Sequence, residues 1–242
     1  TLNYSPTSSG AITLNGSALQ TISGSGTLTL GSNASINVTN TAGVTFSKNI
    51  TIGTGGKFTL PASGSGVYTF SAGNIFTHSN ATASSCNFNG SSITLKSDAT
   101  GTAAFGTFAS TALNATNITV ERYIPATRRA YRFLASPVTT TGGVFASWQE
   151  SGTNAAGLGI QVSGIAGAAP GGVDATTGLD MTTTGSSSMF SYNGSAWAAV
   201  TNTKTTQLTP GAGFRVLVRG DRLTDLYASN PAATATTIKA TG

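Results

Sequence analysis

Arginine is missing from the first 118 residues, and only four formal charges occur there: Lys48, Lys57, Lys96 and Asp98. Across all 242 residues charged side chains amount to 8%, against about 25% in an ordinary soluble domain. Acid–base catalysis, glycoside hydrolysis and metal binding all need clustered ionisable groups, and the first half offers few. The chain has one histidine, His78, and one cysteine, Cys86, so an internal disulfide is excluded and a zinc or copper site has little to draw on. No run of about 20 apolar residues exists, so no membrane-spanning helix is expected. The chain starts at Thr1 without a basic-then-apolar leader, as expected of a processed chain or a segment of a longer one.

What fills the first half is a set of apolar-Thr-apolar steps. They are Ile12-Thr13-Leu14, Leu28-Thr29-Leu30, Val44-Thr45-Phe46, Ile50-Thr51-Ile52, Phe58-Thr59-Leu60 and Ile93-Thr94-Leu95. Alternation with period two marks half-buried strands, and Gly, Ser and Asn separate the steps as turn residues. Leu28, Ile36 and Val44 lie eight apart, Ile50 six further on and Phe58 eight beyond that. Such spacing suits a meander of short strands or successive sides of a β-solenoid. Thr at equivalent places and Gly/Asn at corners favour the solenoid. Val67-Tyr68-Thr69-Phe70 and Phe88 carry bulk that a sandwich would also use.

Composition changes at Ile118. All seven arginines, both tryptophans and six of the seven carboxylates lie beyond it. The fold expectation is therefore all-β: a short solenoid-like (or sandwich) part over 1–118, then a β-sandwich or jelly-roll-like domain over 119–242. In the second part, strands are expected at 118–124, 131–134, 189–192 and 214–218, with a short helix over 144–150. Asn193-Gly194 signals a hairpin of type I′. Residues 151–188 read as a long Gly/Ala/Thr-rich excursion, most flexible over 164–172, and 97–117 as a connection anchored by Phe105 and Phe108. The tail 235–242 reads as a strand that must pair with its own sheet or a neighbour's edge.

Candidate sites are sparse. His78, between Thr77 and Ser79, is expected at the surface. Cys86 is expected to pack as a small hydrophobe. Arg128-Arg129-Ala130-Tyr131-Arg132 is expected to be a loop entering a strand with basic outward positions, which leaves nucleic acid unsupported as a partner. Asp221 and Asp225 flank a turn beside Arg219 and Arg222, where an ion-paired turn is expected. Asp174 and Asp180 match no known calcium loop. Arg219-Gly220-Asp221 spells an integrin tripeptide, with the glycine expected to serve a turn. No phosphate-binding glycine loop and no nucleophile elbow occurs, so catalytic, cofactor and metal residues are all expected to be none.

From Ile93-Thr94-Leu95-Lys96-Ser97-Asp98-Ala99-Thr100-Gly101 onward, further motifs follow in order. They are Val120-Glu121-Arg122-Tyr123-Ile124-Pro125, Arg132-Phe133-Leu134-Ala135-Ser136-Pro137, Trp148-Gln149-Glu150, and Phe214 through Arg222. Over about residues 90–242 they resemble a recurrent β-rich region of large secreted surface proteins of Bacteroidota, substrates of type IX secretion. The resemblance implies secretion to the cell surface, with attachment, gliding or matrix roles. The C-terminal sorting domain that such proteins carry is not in this sequence.

The functional expectation is an extracellular structural protein, a subunit or segment of a self-assembling fibre or matrix joined head-to-tail through strand edges. Residues 11–14, 19–22 and 27–30 carry no charge, so they lack the usual protection of an edge strand. The alternative is a surface adhesin or carbohydrate-binding module, with Trp148, Trp197, Tyr192 and Tyr227 as available stacking partners. A β-helix enzyme ranks last, because the flank offers almost no acids or bases.

Overall fold

The computed structural model describes residues 2–62, 66–80, 82, 85–108, 115, 117–167, 172–228 and 231–242. They form two compact units that meet between Thr119 and Val120, within one strand.

In the first unit the strands are β1 (Leu2–Tyr4), β2 (Gly10–Leu14), β3 (Gln20–Leu30), β4 (Ala34–Val38), β5 (Val44–Ile52), β6 (Lys57–Thr59) and β7 (Val67–Phe70). They continue as β8 (Ile75–His78), β9 (Cys86–Asn87), β10 (Ser92–Leu95), β11 (Ser97–Asp98), β12 (Gly101–Thr102) and β13 (Ala104–Phe108). Apart from the small β11–β12 hairpin, their pairing is parallel. This is a solenoid, and the steps eight and six apart are successive sides of one coil. A full coil takes 22 residues between Ile36 and Phe58 and 29 between Ile75 and Ala104.

Parallel register stacks like on like. Ile36 lies between Ile12 and Phe58, Phe46 between Ile22 and Phe70, and Ile50 between Leu28 and Phe76. Inward members of the later coils are fully buried, with rings in contact such as Phe46–Phe70 at 5.0 Å and Phe58–Phe76 at 4.9 Å. Outward threonines form their own rows, Thr29–Thr51–Thr77 and Thr45–Thr69–Thr94, in which β-branched neighbours pack across strands. Asparagines hold the corners. Buried Asn40 donates to the carbonyl of Ala18 (2.8 Å) and to Gln20 Oε1 (2.9 Å), and its Oδ1 accepts from Ala42 N–H (2.8 Å). Asn80 repeats the arrangement with the Gly56 carbonyl and Thr82 N–H. Gly24-Ser25-Gly26 makes a bulge opposite Lys48, with both glycines at positive φ, and the Ser25 carbonyl accepts from the buried Lys48 ammonium at 2.5 Å.

The second unit takes up β14 (Asn117–Ile124), β15 (Ala130–Ala135), α1 (Gly143–Ala146), β16 (Ser163–Ala166), β17 (Asp180–Thr182), β18 (Met189–Tyr192), β19 (Trp197–Ala199), β20 (Gly213–Val218) and β21 (Thr236–Thr241). β15, β20, β18 and β19 form an antiparallel sheet in that order, β14 neighbours β21, and β16 pairs β17 in parallel. Val216 of β20, Met189 of β18, Ile124 of β14 and Ile238 of β21 share one core, in which Trp148 meets Phe214 edge-on at 6.0 Å. The tail strand thus pairs inside its own sheet.

Several expectations change here. The helix is one turn, Gly143–Ala146, followed by a 3-10 turn at Glu150–Gly152. Residues 151–188 are not a loose excursion: Ile160, Val162 and Leu179 are core residues, while 168–171 lie outside the described residues. The connection 97–117 contains the β11–β12 hairpin and β13, and its 109–114 and 116 likewise lie outside. The Asn193-Gly194 hairpin closes with four residues instead of two. Tyr192 pairs with Trp197, and Asn193 Oδ1 accepts from the Ser195 and Ala196 amides (3.0 and 2.8 Å), so the asparagine side chain closes the loop. Asn193 is not at positive φ, as type I′ would demand.

Candidate functional site

The strand β15 reads Ala-Tyr-Arg-Phe-Leu-Ala, and its two faces compete for the core. Leu134 packs against the core cluster, which turns Arg132 towards the interior side and Tyr131 and Phe133 outward. The expected orientation is therefore reversed: the basic residue is half-buried and the aromatics are exposed. Register then assembles the outer face. Phe133 lies opposite Arg215, Arg215 opposite Phe190, and Tyr192 opposite Trp197.

Phe133 is 74% exposed, Tyr192 54%, Tyr131 47% and Trp197 37%. Phe133 and Trp197 come from the two outer strands, yet their rings meet at 5.7 Å, and Trp197 touches Tyr192 at 5.3 Å. The rings lean across the middle strands and enclose the Arg215 guanidinium, which lies 4.4 Å from Phe190, 4.9 Å from Tyr131 and 5.3 Å from Trp197. Each such contact contributes about 0.5–2 kcal/mol, more as water is excluded. Arg215 Nε is buried without a hydrogen-bond partner.

Beyond Tyr131 the same sheet end carries a cavity of about 550 Å3, lined by Arg128, Arg129, Arg219, Pro231, Ala232 and Ala233. Burial, and then the neighbouring Arg129, pull the Arg219 guanidinium below its ordinary value. Arg219 donates to Ser163 Oγ at 3.3 Å, while its Nη1 has no partner. Among the described lining residues there is no carboxylate, so the cavity concentrates positive charge.

Arg222, by contrast, is fully used. It pairs with Asp180 (2.7 Å, both side chains wholly buried) and donates to the carbonyls of Thr153, Ile160 and Gly152. Asp180 also accepts from Gln149 Nε2 (2.8 Å) and the Val162 amide (2.7 Å). The expected Arg222 pairing with Asp221 or Asp225 is thereby replaced by one 42 positions away in sequence. Asp221 is itself buried and accepts from the Gly157 and Leu223 amides. Gly220, at φ +142°, is buried too, so the Arg-Gly-Asp tripeptide is not displayed. Asp174 accepts from Thr177 and Thr176 within its own turn, and those bonds hold its carboxyl below the usual range.

The first unit has a different kind of open surface. Gly10 N–H and the Leu14 carbonyl bond towards β4, and Gln20 N–H bonds towards β5. Strand alternation then points the backbone groups of Ala11, Thr13, Thr21 and Ser23 the other way, where no described strand pairs with them. Ile12, Leu14 and Ile22 on these strands are half-buried, whereas their stacked neighbours Ile36, Val38 and Phe46 are buried.

His78 is not at the surface. It occupies the inward row between Ile52 and Phe108, fully buried, with Nε2 2.9 Å from Ser85 Oγ and its ring stacked on Phe108 at 5.6 Å. Burial lowers its pKa. Cys86 is buried and its thiol is pushed up to about 12. Of the four expected stacking aromatics, Trp148 is core, and Tyr227 donates its hydroxyl to the Gly167 carbonyl. Only Trp197 and Tyr192 come together at the surface. Tyr131, Phe133, Phe190 and Arg215 were not expected beside them. For Tyr131 and Phe133 the signal is the alternation of β15 read with the opposite face inward, whereas Phe190 and Arg215 join them only through strand register.

These features define an all-β protein with a solenoid-like first unit. No family model, curated protein or solved structure matches the chain.

Proposed function

We infer that this chain is an extracellular structural protein, a subunit or segment of a self-assembling surface fibre or matrix joined through β-strand edges. The observation that carries this reading is the uncovered first coil. Its strands offer unpaired backbone groups at Ala11, Thr13, Thr21 and Ser23, a half-buried row of Ile12, Leu14 and Ile22, and no charge before Lys48. Solenoids stay soluble when a polar cap closes each end, and edge strands are normally blunted by Lys or Pro. Neither device is present on β2 or the start of β3, so a further β coil from a second copy can extend the parallel ladders. The resemblance of residues 90–242 to secreted surface proteins supports the extracellular placing. β21 pairs with β14 within its own chain, so the tail is not a free edge.

Light scattering on the chain across a concentration series, with negative-stain micrographs, tests the reading. Association beyond a single chain is expected, and Thr13→Pro should abolish it with circular dichroism unchanged. That substitution removes an outward-facing N–H and spares the bonds to β4. A single-chain mass at every concentration, with no filaments, sinks the proposal.

A further inference from the structure

We propose that the outer aromatic strip of the β15–β20–β18–β19 sheet and the adjoining arginine cavity together bind an acidic polysaccharide, a glycan bearing carboxylate or sulfate groups. Three rings form a contiguous exposed strip, Phe133–Trp197–Tyr192, at 5.7 and 5.3 Å spacing. Single chains seldom leave contiguous apolar patches of this kind unused. The C–H face of a pyranose carries small positive partial charges that lie well on the negative face of an aromatic ring. Arg215 lies against Trp197, the middle ring of the strip, and against the neighbouring Tyr131 and Phe190, so that central ring has little conformational freedom to lose on binding.

Charge complementarity selects the acidic class. Arg128, Arg129 and Arg219 converge on the cavity past Tyr131, and none of the described residues lining it is a carboxylate. The Arg219 Nη1 group is buried with no acceptor. A guanidinium fork matches a carboxylate or sulfate in two parallel hydrogen bonds. A single-stranded nucleic acid is the less suitable occupant. It needs cations along the whole strip, whereas Ala135, Gly213 and Ala199 share the outer face and the cations gather at one end.

The chain is titrated by calorimetry with four probes: an oligogalacturonate, dextran sulfate, a neutral β-glucan and an oligothymidylate. Binding of the first or second, with neither of the others, is expected, and which one binds identifies the anion. Phe133→Ala and Arg129→Gln, both at exposed positions, should each weaken that binding about tenfold without changing the melting temperature. Raising the salt should erase the arginine contribution and spare the aromatic one. Equal binding of the neutral glucan, tighter binding of the oligothymidylate, no glycan binding, or affinity untouched by both variants would each overturn the proposal.

Discussion

The two units solve the same problem, burying backbone and side chains of a glycine-rich β chain, by opposite means. In the first, each coil repeats the last, so the parallel ladders satisfy the backbone and neutral Thr and Asn rows satisfy the rest. Charge is scarcely needed. The second has no repeat, and its irregular segments leave carbonyls pointing inward from Gly152, Thr153 and Ile160. One buried arginine collects all three and is neutralised by Asp180. Repetition replaces polar networks where it is available, and a concentrated ionic network takes over where it is not.

Three perturbations separate these solutions. Arg222→Met should have the largest effect, because it strands the Asp180 charge and three carbonyls in the second unit. A loss of about 3–5 kcal/mol is expected, a large share of an ordinary domain's stability. Guanidinium denaturation should then show the second unit unfolding early while the first keeps its transition. A single shifted transition would show that the units are not independent.

Asn40→Ala attacks the other solution. It removes two donated bonds and one accepted bond at a buried corner, which should cost about 1–3 kcal/mol. Only the first unit's midpoint should move, and an unchanged midpoint would mean that water replaces the amide there.

The smallest effect is the pH response of the first unit. His78 has a folded-state pKa below its ordinary 6.5 because burial disfavours the imidazolium. As pH falls through 6.5 the unfolded chain takes up the proton first, so stability present above that pH is lost on acidification. Melts between pH 8 and pH 5 should show this decline, and His78→Phe should flatten it. A slope that survives the substitution would assign the response to another group.

Much of the solenoid is legible in the sequence. Each apolar-Thr-apolar step predicts which side chains face inward, and Leu30, Phe46, Ile50 and Phe58 do. The interval of eight is harder to read, since it measures one side of a coil and not the full turn. The aromatic–arginine face is less legible still. Tyr131-Arg132-Phe133-Leu134 alternates cleanly, but both faces are amphipathic, and a period of two says nothing about which one meets a core. The burial of His78 is hard to read for a related reason. A polar residue between Thr and Ser resembles surface, yet its parity places it in the inward row with Ile52.

The sequence alone determined the strand content, the parity of the stacked rows and the poverty of charge, because these depend on neighbours a few residues apart. Only the tertiary structure decided which aromatics are exposed, which acid Arg222 pairs with, and which coil is left uncovered. Those depend on contacts between residues far apart in sequence, such as Asp180 with Arg222 and Phe133 with Trp197. Local alternation carries no information about them.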